Sequence, residues 1–152
     1  MVTSSTEQLI HKLEFVRDTE IAATMDVVFE TILEQLGSLN VGADREPIPM
    51  KLEPWPGGRW FRDLGNNRGH LWAHVQSIRP NDLLELQGPT FMSAPVMCHM
   101  LYRLSEERGA TRLKFSYRAV GQIPPEHLDA VGLSQGWSSH FEQIKKTAER
   151  KK

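Results

Sequence analysis

Polar groups stranded on apolar strand faces are the first candidates for chemistry in this sequence, and Arg17, Tyr102 and Tyr117 stand out. Each falls, by alternation, among inward-facing apolar neighbours of a predicted strand. A guanidinium in such a place must be paired or hydrogen-bonded, because burying a lone charge is costly. Arg17 is therefore read either as a clamp for a ligand carboxylate or carbonyl, or as the partner of an internal carboxylate such as Glu53. The two phenols offer hydrogen-bonding handles and acid–base assistance inside a pocket. A tyrosine with its ordinary pKa of about 10 is nevertheless a poor base near neutrality.

His70, His74 and His99 also lie on predicted strands and raise the question of a metal. Residues four apart on a strand are about 13 Å apart, and zinc requires three or four converging ligands, so no metal site is expected. His70, Trp72 and His74 share a parity opposite Leu71, Ala73 and Val75, which assigns them to the outer face of the sheet. Cys98 is the sole cysteine and sits in an apolar run, where a free thiol acts as a small hydrophobe. The chain has no Gly-x-Ser-x-Gly elbow, phosphate-binding glycine loop or dinucleotide fingerprint, so no cofactor is expected and no catalytic residue is assigned.

The elements that must position these groups follow from periodicity. Leu13, Phe15 and Ile21 alternate with Glu14, Asp18 and Glu20, which predicts a half-buried strand with Arg17 and Thr19 on its inner face. Thr24 is placed to cap an amphipathic helix carrying Val27, Val28, Phe29, Ile32, Leu33 and Leu36, and Gly37 ends it. Ser38 to Pro49 reads as a loop. Strands are then expected at Met50–Glu53, Arg59–Leu64, Gly69–Ile78, Leu83–Gln87, Val96–Leu104 and Thr111–Val120, separated by turn residues at hairpin distances. Val96, Cys98, Met100, Tyr102 and Leu104 share one face, as do Leu113, Phe115, Tyr117 and Ala119, with Lys114 and Arg118 in solvent. Beyond Pro124-Pro125 a long helix carries Leu128, Val131, Trp137, Phe141, Ile144 and Ala148 on one stripe, interrupted by Gly132 and Gly136, where a kink or a close approach is expected.

The order strand, helix, strand meander, long helix is α+β. At 152 residues the chain is read as a single domain, 1–152, with an ordered core of about 11–148 and solvated ends. Its 18 basic and 19 acidic residues leave a net charge of -1, without the electrostatic footprint of a nucleic-acid binder. No apolar run is long enough for membrane insertion, and the first eight residues lack the order of a secretion signal, so a cytoplasmic location is expected.

Four stretches in this order carry a resemblance: Ile21–Phe29, Pro56-Gly57-Gly58-Arg59-Trp60, Val75–Pro80, and Gly136-Trp137 with Phe141 and Ile144 behind it. Together they resemble the START-related (SRPBCC) superfamily, and within it the branch similar to activator of heat-shock protein 90 ATPase homologues. The resemblance implies the helix-grip fold, a curved antiparallel sheet of about six to seven strands wrapped around a long C-terminal helix, with a cavity between them. It also implies a range of functions, because carriers, polyketide cyclases, aromatase-like enzymes and co-chaperone domains share that fold.

Three readings follow. The first is a protein that binds an apolar small-molecule ligand, with Phe15, Arg17, Trp60, Met100, Tyr102, Phe115, Tyr117, Trp137 and Phe141 as candidate ligand-binding residues. The second is a cavity enzyme of the cyclase kind. The third is an interaction module that acts on a chaperone, or on a second copy of the chain as a homodimer.

Overall fold

The computed structural model describes residues 9–151, so the expectation of solvated tails at residues 1–8 and at Lys152 lies outside the described residues. Its elements are β1 (His11–Ile21), α1 (Met25–Leu36), β2 (Lys51–Leu52), β3 (Arg59–Gly65), β4 (Arg68–Arg79), β5 (Leu83–Gly88), β6 (Val96–Glu107) and β7 (Ala110–Gly121), then a 3-10 turn (Pro125–His127), α2 (Ala130–Gly136) and α3 (Ser138–Lys151). The strands form one antiparallel sheet in the order β1-β7-β6-β5-β4-β3-β2. Wrapped against the C-terminal helical segment, this α+β sheet is the helix grip.

The hairpins are set by local chemistry. Arg108 and Gly109 both take positive φ, 54° and 81°, as do Asn66 and Asn67, 55° and 61°. Paired positive φ values make the two-residue turns whose twist suits antiparallel strands. The β6–β7 pair then runs without a break from Val96↔Gly121 to Glu107↔Ala110. That register buries Met100, Tyr102, Leu113, Phe115 and Tyr117 on the concave face and leaves Lys114 and Arg118 exposed.

β4 departs from strict alternation. Trp60 pairs with Ala73, but Phe61 pairs with Leu71, so Trp72 is an extra residue opposite β3. Such a bulge reverses the parity that follows it. Ala73 and Val75 are buried and His74 is exposed, as alternation predicts, yet Trp72 does not join the outer face: it lies against Trp60 on the concave side, with ring centroids 5.1 Å apart. Gly88 makes room for this. A Cβ there would come within 2.3 Å of the Trp72 carbonyl oxygen and 2.5 Å of Ala73 Cα.

α1 buries Val28, Phe29, Ile32 and Leu36 and packs on α3. Gly37 closes it, its N–H donating to the carbonyls of Leu33 and Glu34. The Thr24 hydroxyl donates to the Asp26 carboxylate and leaves the helix N–H groups without a side-chain cap. The C-terminal helical segment covers 22 residues and turns at Trp137 between α2 and α3. Asp129 caps α2 by accepting from Gly132 N–H at 3.1 Å. Because α2 begins only after the 3-10 turn and the non-helical Leu128-Asp129 link, its phase differs from that of one unbroken helix. Val131 is therefore 68% exposed rather than on the buried stripe. On α3, Phe141, Ile144 and Ala148 are buried. α3 also reaches the end of β1: Lys145 donates to the Glu20 carbonyl at 2.8 Å, and Glu149 accepts from Ala22 N–H at 2.9 Å. No helix among the described residues is long and apolar enough to cross a membrane.

Candidate functional site

The concave face of the sheet is filled unevenly. Over β1, β7 and β6 it holds an aromatic cluster in which Phe15 stacks on Tyr117 at 5.3 Å and Phe115 meets Tyr102 at 4.7 Å and Phe141 at 4.8 Å. Over β3 and β4 the space is open. A cavity of about 570 Å³ lies there. Its sheet wall is Trp60 and Trp72; Phe91, from the β5–β6 connection, closes one side; Leu133, Gly136 and Trp137 form the helical wall; and Val41, Gly42, Ala43 and Ile48 form the roof.

Each wall has a physical reason to stay in place. Trp60 is buried, and its Nε1 donates to the Leu36 carbonyl at 2.7 Å, tying β3 to the end of α1. Trp72 Nε1 donates to His70 Nδ1 at 2.7 Å, and Phe91 bridges Trp72 and His127 edge-on. The roof is held to α3 by the Ser139 hydroxyl, which donates to the Gly42 carbonyl at 3.2 Å, and by the Arg45–Glu142 ion pair at 2.9 Å. Asn40 braces it from within by donating to the Ile48 carbonyl at 3.1 Å. α2 meets the roof at Gly136, where a Cβ would lie 3.6 Å from Ala43 Cβ, an ordinary contact.

Two buried polar side chains line the cavity, Asn40 beneath the roof and His140 in the wall. His140 is 5% exposed, lines the cavity, and touches the Trp137 and Phe141 rings. Its Nε2 is 2.9 Å from the Tyr102 hydroxyl. Burial pushes the His140 imidazole down to about 3 and the Tyr102 phenol well above its ordinary value, so the pair is neutral across the physiological range. Glu126, His127 and Asp129 are the polar residues at the cavity's rim.

Of the nine candidate residues, Trp60 and Trp137 line this cavity, and Trp137 also packs on Phe115 and Tyr117. Phe15, Met100, Tyr102, Phe115, Tyr117 and Phe141 lie outside its lining, in the aromatic cluster or beside it. The Tyr117 hydroxyl donates to buried Cys98 Sγ at 3.2 Å, and burial raises its pKa. Arg17 sits on the far flank, where Nη1 donates to the Ser134 carbonyl at 3.1 Å and to Ser138 Oγ at 3.3 Å, with the guanidinium 5.2 Å from the Phe141 ring. The expectation that Glu53 could satisfy it is corrected. Glu53 lies beyond β2 and binds Arg59 through two bonds of 2.8 Å, which hold its carboxyl at about 2.

The histidines on strands are dispersed: His99 pairs with Glu85 at 2.6 Å and His70 with Trp72. Among the described residues no three His, Cys, Asp or Glu side chains converge as a metal site would require. A second, more open hollow of about 600 Å³ runs past the end of α1 between Glu34, Lys51, Glu53, Arg59 and Phe61. Leu33, Met50 and Leu52 also line it, and being open to solvent it is a surface groove.

Sequence reasoning missed His140, Trp72 and Phe91. For His140 a signal was present: it stands beside Phe141 and one turn from Trp137 and Ile144, a polar residue on an apolar helical stripe.

The family model described as activator of Hsp90 ATPase homolog 1-like protein matches residues 22–149. The chain belongs to this family. Solved structures similar to this family member include a protein from Rhizobium leguminosarum (TM-score 0.69, 18% identity, 95% of this chain and 99% of that one). Another is MLL2253 from Mesorhizobium loti (0.67, 15%, 91% and 98%), and a third is CalU16 from Micromonospora echinospora (0.61, 18%, 95% and 87%). At these identities the likeness is one of fold. No curated protein matches the sequence.

Proposed function

We propose that this member of the activator of Hsp90 ATPase homolog 1-like family binds a hydrophobic, ring-containing small molecule in the cavity between β3–β4 and α2. The observation that carries this reading is the cavity itself: about 570 Å³ walled by Trp60, Trp72, Phe91 and Trp137, with Asn40 and His140 as its buried polar groups. Pockets of that size, apolar with a few placed polar groups, are the usual form of small-molecule sites. Flat indole and phenyl faces favour planar ligands through offset or edge-on stacking. The filled cluster beside the cavity supports the reading too, because it lets one half of the sheet supply stability while the other stays open. No step of catalysis is needed for it.

The test uses N-phenyl-1-naphthylamine, a neutral dye that brightens in apolar surroundings. Saturable enhancement at one dye per chain is expected for the wild type. Gly136→Phe places a ring in the cavity and should abolish the enhancement while leaving the circular dichroism unchanged. Absence of enhancement in the wild type, or equal enhancement in both proteins, refutes the reading.

A further inference from the structure

The hydrogen-bond bookkeeping of the Tyr102–His140 pair determines what the cavity offers a ligand. The Tyr102 hydroxyl is buried, and His140 Nε2 is its hydrogen-bond partner. Were Nε2 to carry the hydrogen and donate to the phenol oxygen, the phenol's own hydrogen would be left without an acceptor in a dry site, a costly arrangement. The hydroxyl therefore donates to Nε2. Neutral imidazole has one N–H, so the hydrogen resides on Nδ1. That nitrogen has no hydrogen-bond partner among the described residues. Among the described residues no fully buried side-chain nitrogen or oxygen is unpartnered either, so Nδ1 must touch the accessible space of the cavity that His140 lines.

The geometry points to His140 Nδ1–H as a fixed, uncharged hydrogen-bond donor in the cavity wall, selecting neutral aromatic ligands that carry a carbonyl acceptor. Tyr102 acts as a positioning residue by holding the tautomer from behind. A neutral donor does not offset the cost of burying a carboxylate, and Glu126 and Asp129 at the rim repel anions. Arg17, the cation expected from the sequence to clamp an acid, is engaged by Ser134 and Ser138 outside the cavity. A ligand whose only polar group is a donor, such as a protonated amine, would leave Nδ1–H unmatched. This inference rests on the binding function proposed above and specifies its ligand class.

Two measurements test it. In free protein, long-range 15N–1H correlation spectra report the His140 tautomer directly, and protonated Nδ1 with bare Nε2 is expected; Tyr102→Phe should reduce the Nδ1–H population. For selection, the probes are 2-acetylnaphthalene and 2-isopropenylnaphthalene, which share shape and differ by C=O against C=CH2. The ratio of ketone to alkene affinity in wild type should exceed that in the double variant Tyr102→Phe/His140→Phe by about 3- to 10-fold, the effect of one net hydrogen bond. Removing both partners together leaves no orphaned group, so the double variant keeps the fold as a fair reference; thermal melting checks this. An Nε2–H tautomer in the wild type, or an affinity ratio that does not change, overturns the inference. Binding of both probes with an unchanged ratio refutes the donor role and leaves the cavity function standing, whereas binding of neither refutes both.

Discussion

Burying a histidine in its neutral form makes stability depend on pH in a way that can be worked out beforehand. His140 contacts Tyr102, Trp137 and Phe141, of which only Tyr102 titrates, and burial keeps that phenol un-ionised throughout the range of interest. The imidazole has its ordinary pKa of 6.5 in the unfolded chain and about 3 in the fold. Below pH 6.5 the unfolded chain therefore takes up a proton that the native state refuses. The stability associated with neutral His140 is complete above pH 6.5, declines as pH falls, and levels off below about 3. Between pH 7.5 and pH 5.0 the loss amounts to about 2 kcal/mol. Carboxylates such as Glu53 and Glu85 also favour the fold by being held ionised, but they act at lower pH and are common to any reference protein. His140→Gln is a suitable reference, since its amide can accept from Tyr102 without titrating. Urea denaturation of both proteins at the two pH values gives the double difference. The wild type should lose about 2 kcal/mol more than His140→Gln on acidification. Equal losses would mean that His140 is solvated and protonated like a surface histidine, and the picture of a dry cavity wall would fail with it.

Three further outcomes are expected. Gly136→Ala should raise stability by about 0.5–1 kcal/mol in thermal or urea melts, because the helix gains an alanine whose Cβ meets Ala43 at an ordinary 3.6 Å. Gly88→Ala should lower stability by about 1–3 kcal/mol and broaden the amide resonances of Trp72 and Ala73, since no side chain fits against the bulge. Arg17→Met should cost about 1 kcal/mol through its lost bonds to Ser134 and Ser138, while the relative affinities of a fatty acid and its matching alcohol stay the same. A selective loss of the acid would return Arg17 to the ligand site.

How far the sequence can be read differs between the two halves of the sheet. In β6 and β7 an unbroken ladder makes period two hold for twelve residues in each strand, so the alternation that assigns Phe115 and Tyr117 to the interior and Lys114 to solvent agrees with the structure. α1 was legible for a similar reason: its apolar spacing and closing glycine reflect local rules only. Trp72 was not, because a bulge is a property of a strand pair and leaves no mark on one strand's alternation. Val131 was misplaced by reading one helix where a 3-10 turn and a fresh cap set a new phase. The cavity itself depends on where the 38–49 loop comes to rest against α2 and α3, and that contact spans almost a hundred residues of sequence. Periodicity could show which aromatic residues face inward, but not which face a neighbour and which face a void.

The ends of the sheet carry a consequence for how this protein behaves among copies of itself. Among the described residues β1 is an eleven-residue border strand with a neighbour on one side only, and such a border is a template onto which another chain can add a strand. Charges at Lys12, Glu14, Asp18 and Glu20 discourage a flat apolar approach. At one end of the strand α3 adds a guard: Lys145 donates to the Glu20 carbonyl and Glu149 accepts from the Ala22 N–H, occupying backbone groups that an incoming strand would seek. The other border, β2, is two residues long and too short to recruit a partner. Protection of this edge is thus built into the helix that carries His140, and fraying at its C-terminal end would release the Ala22 N–H as it uncovered Ala148 of the core.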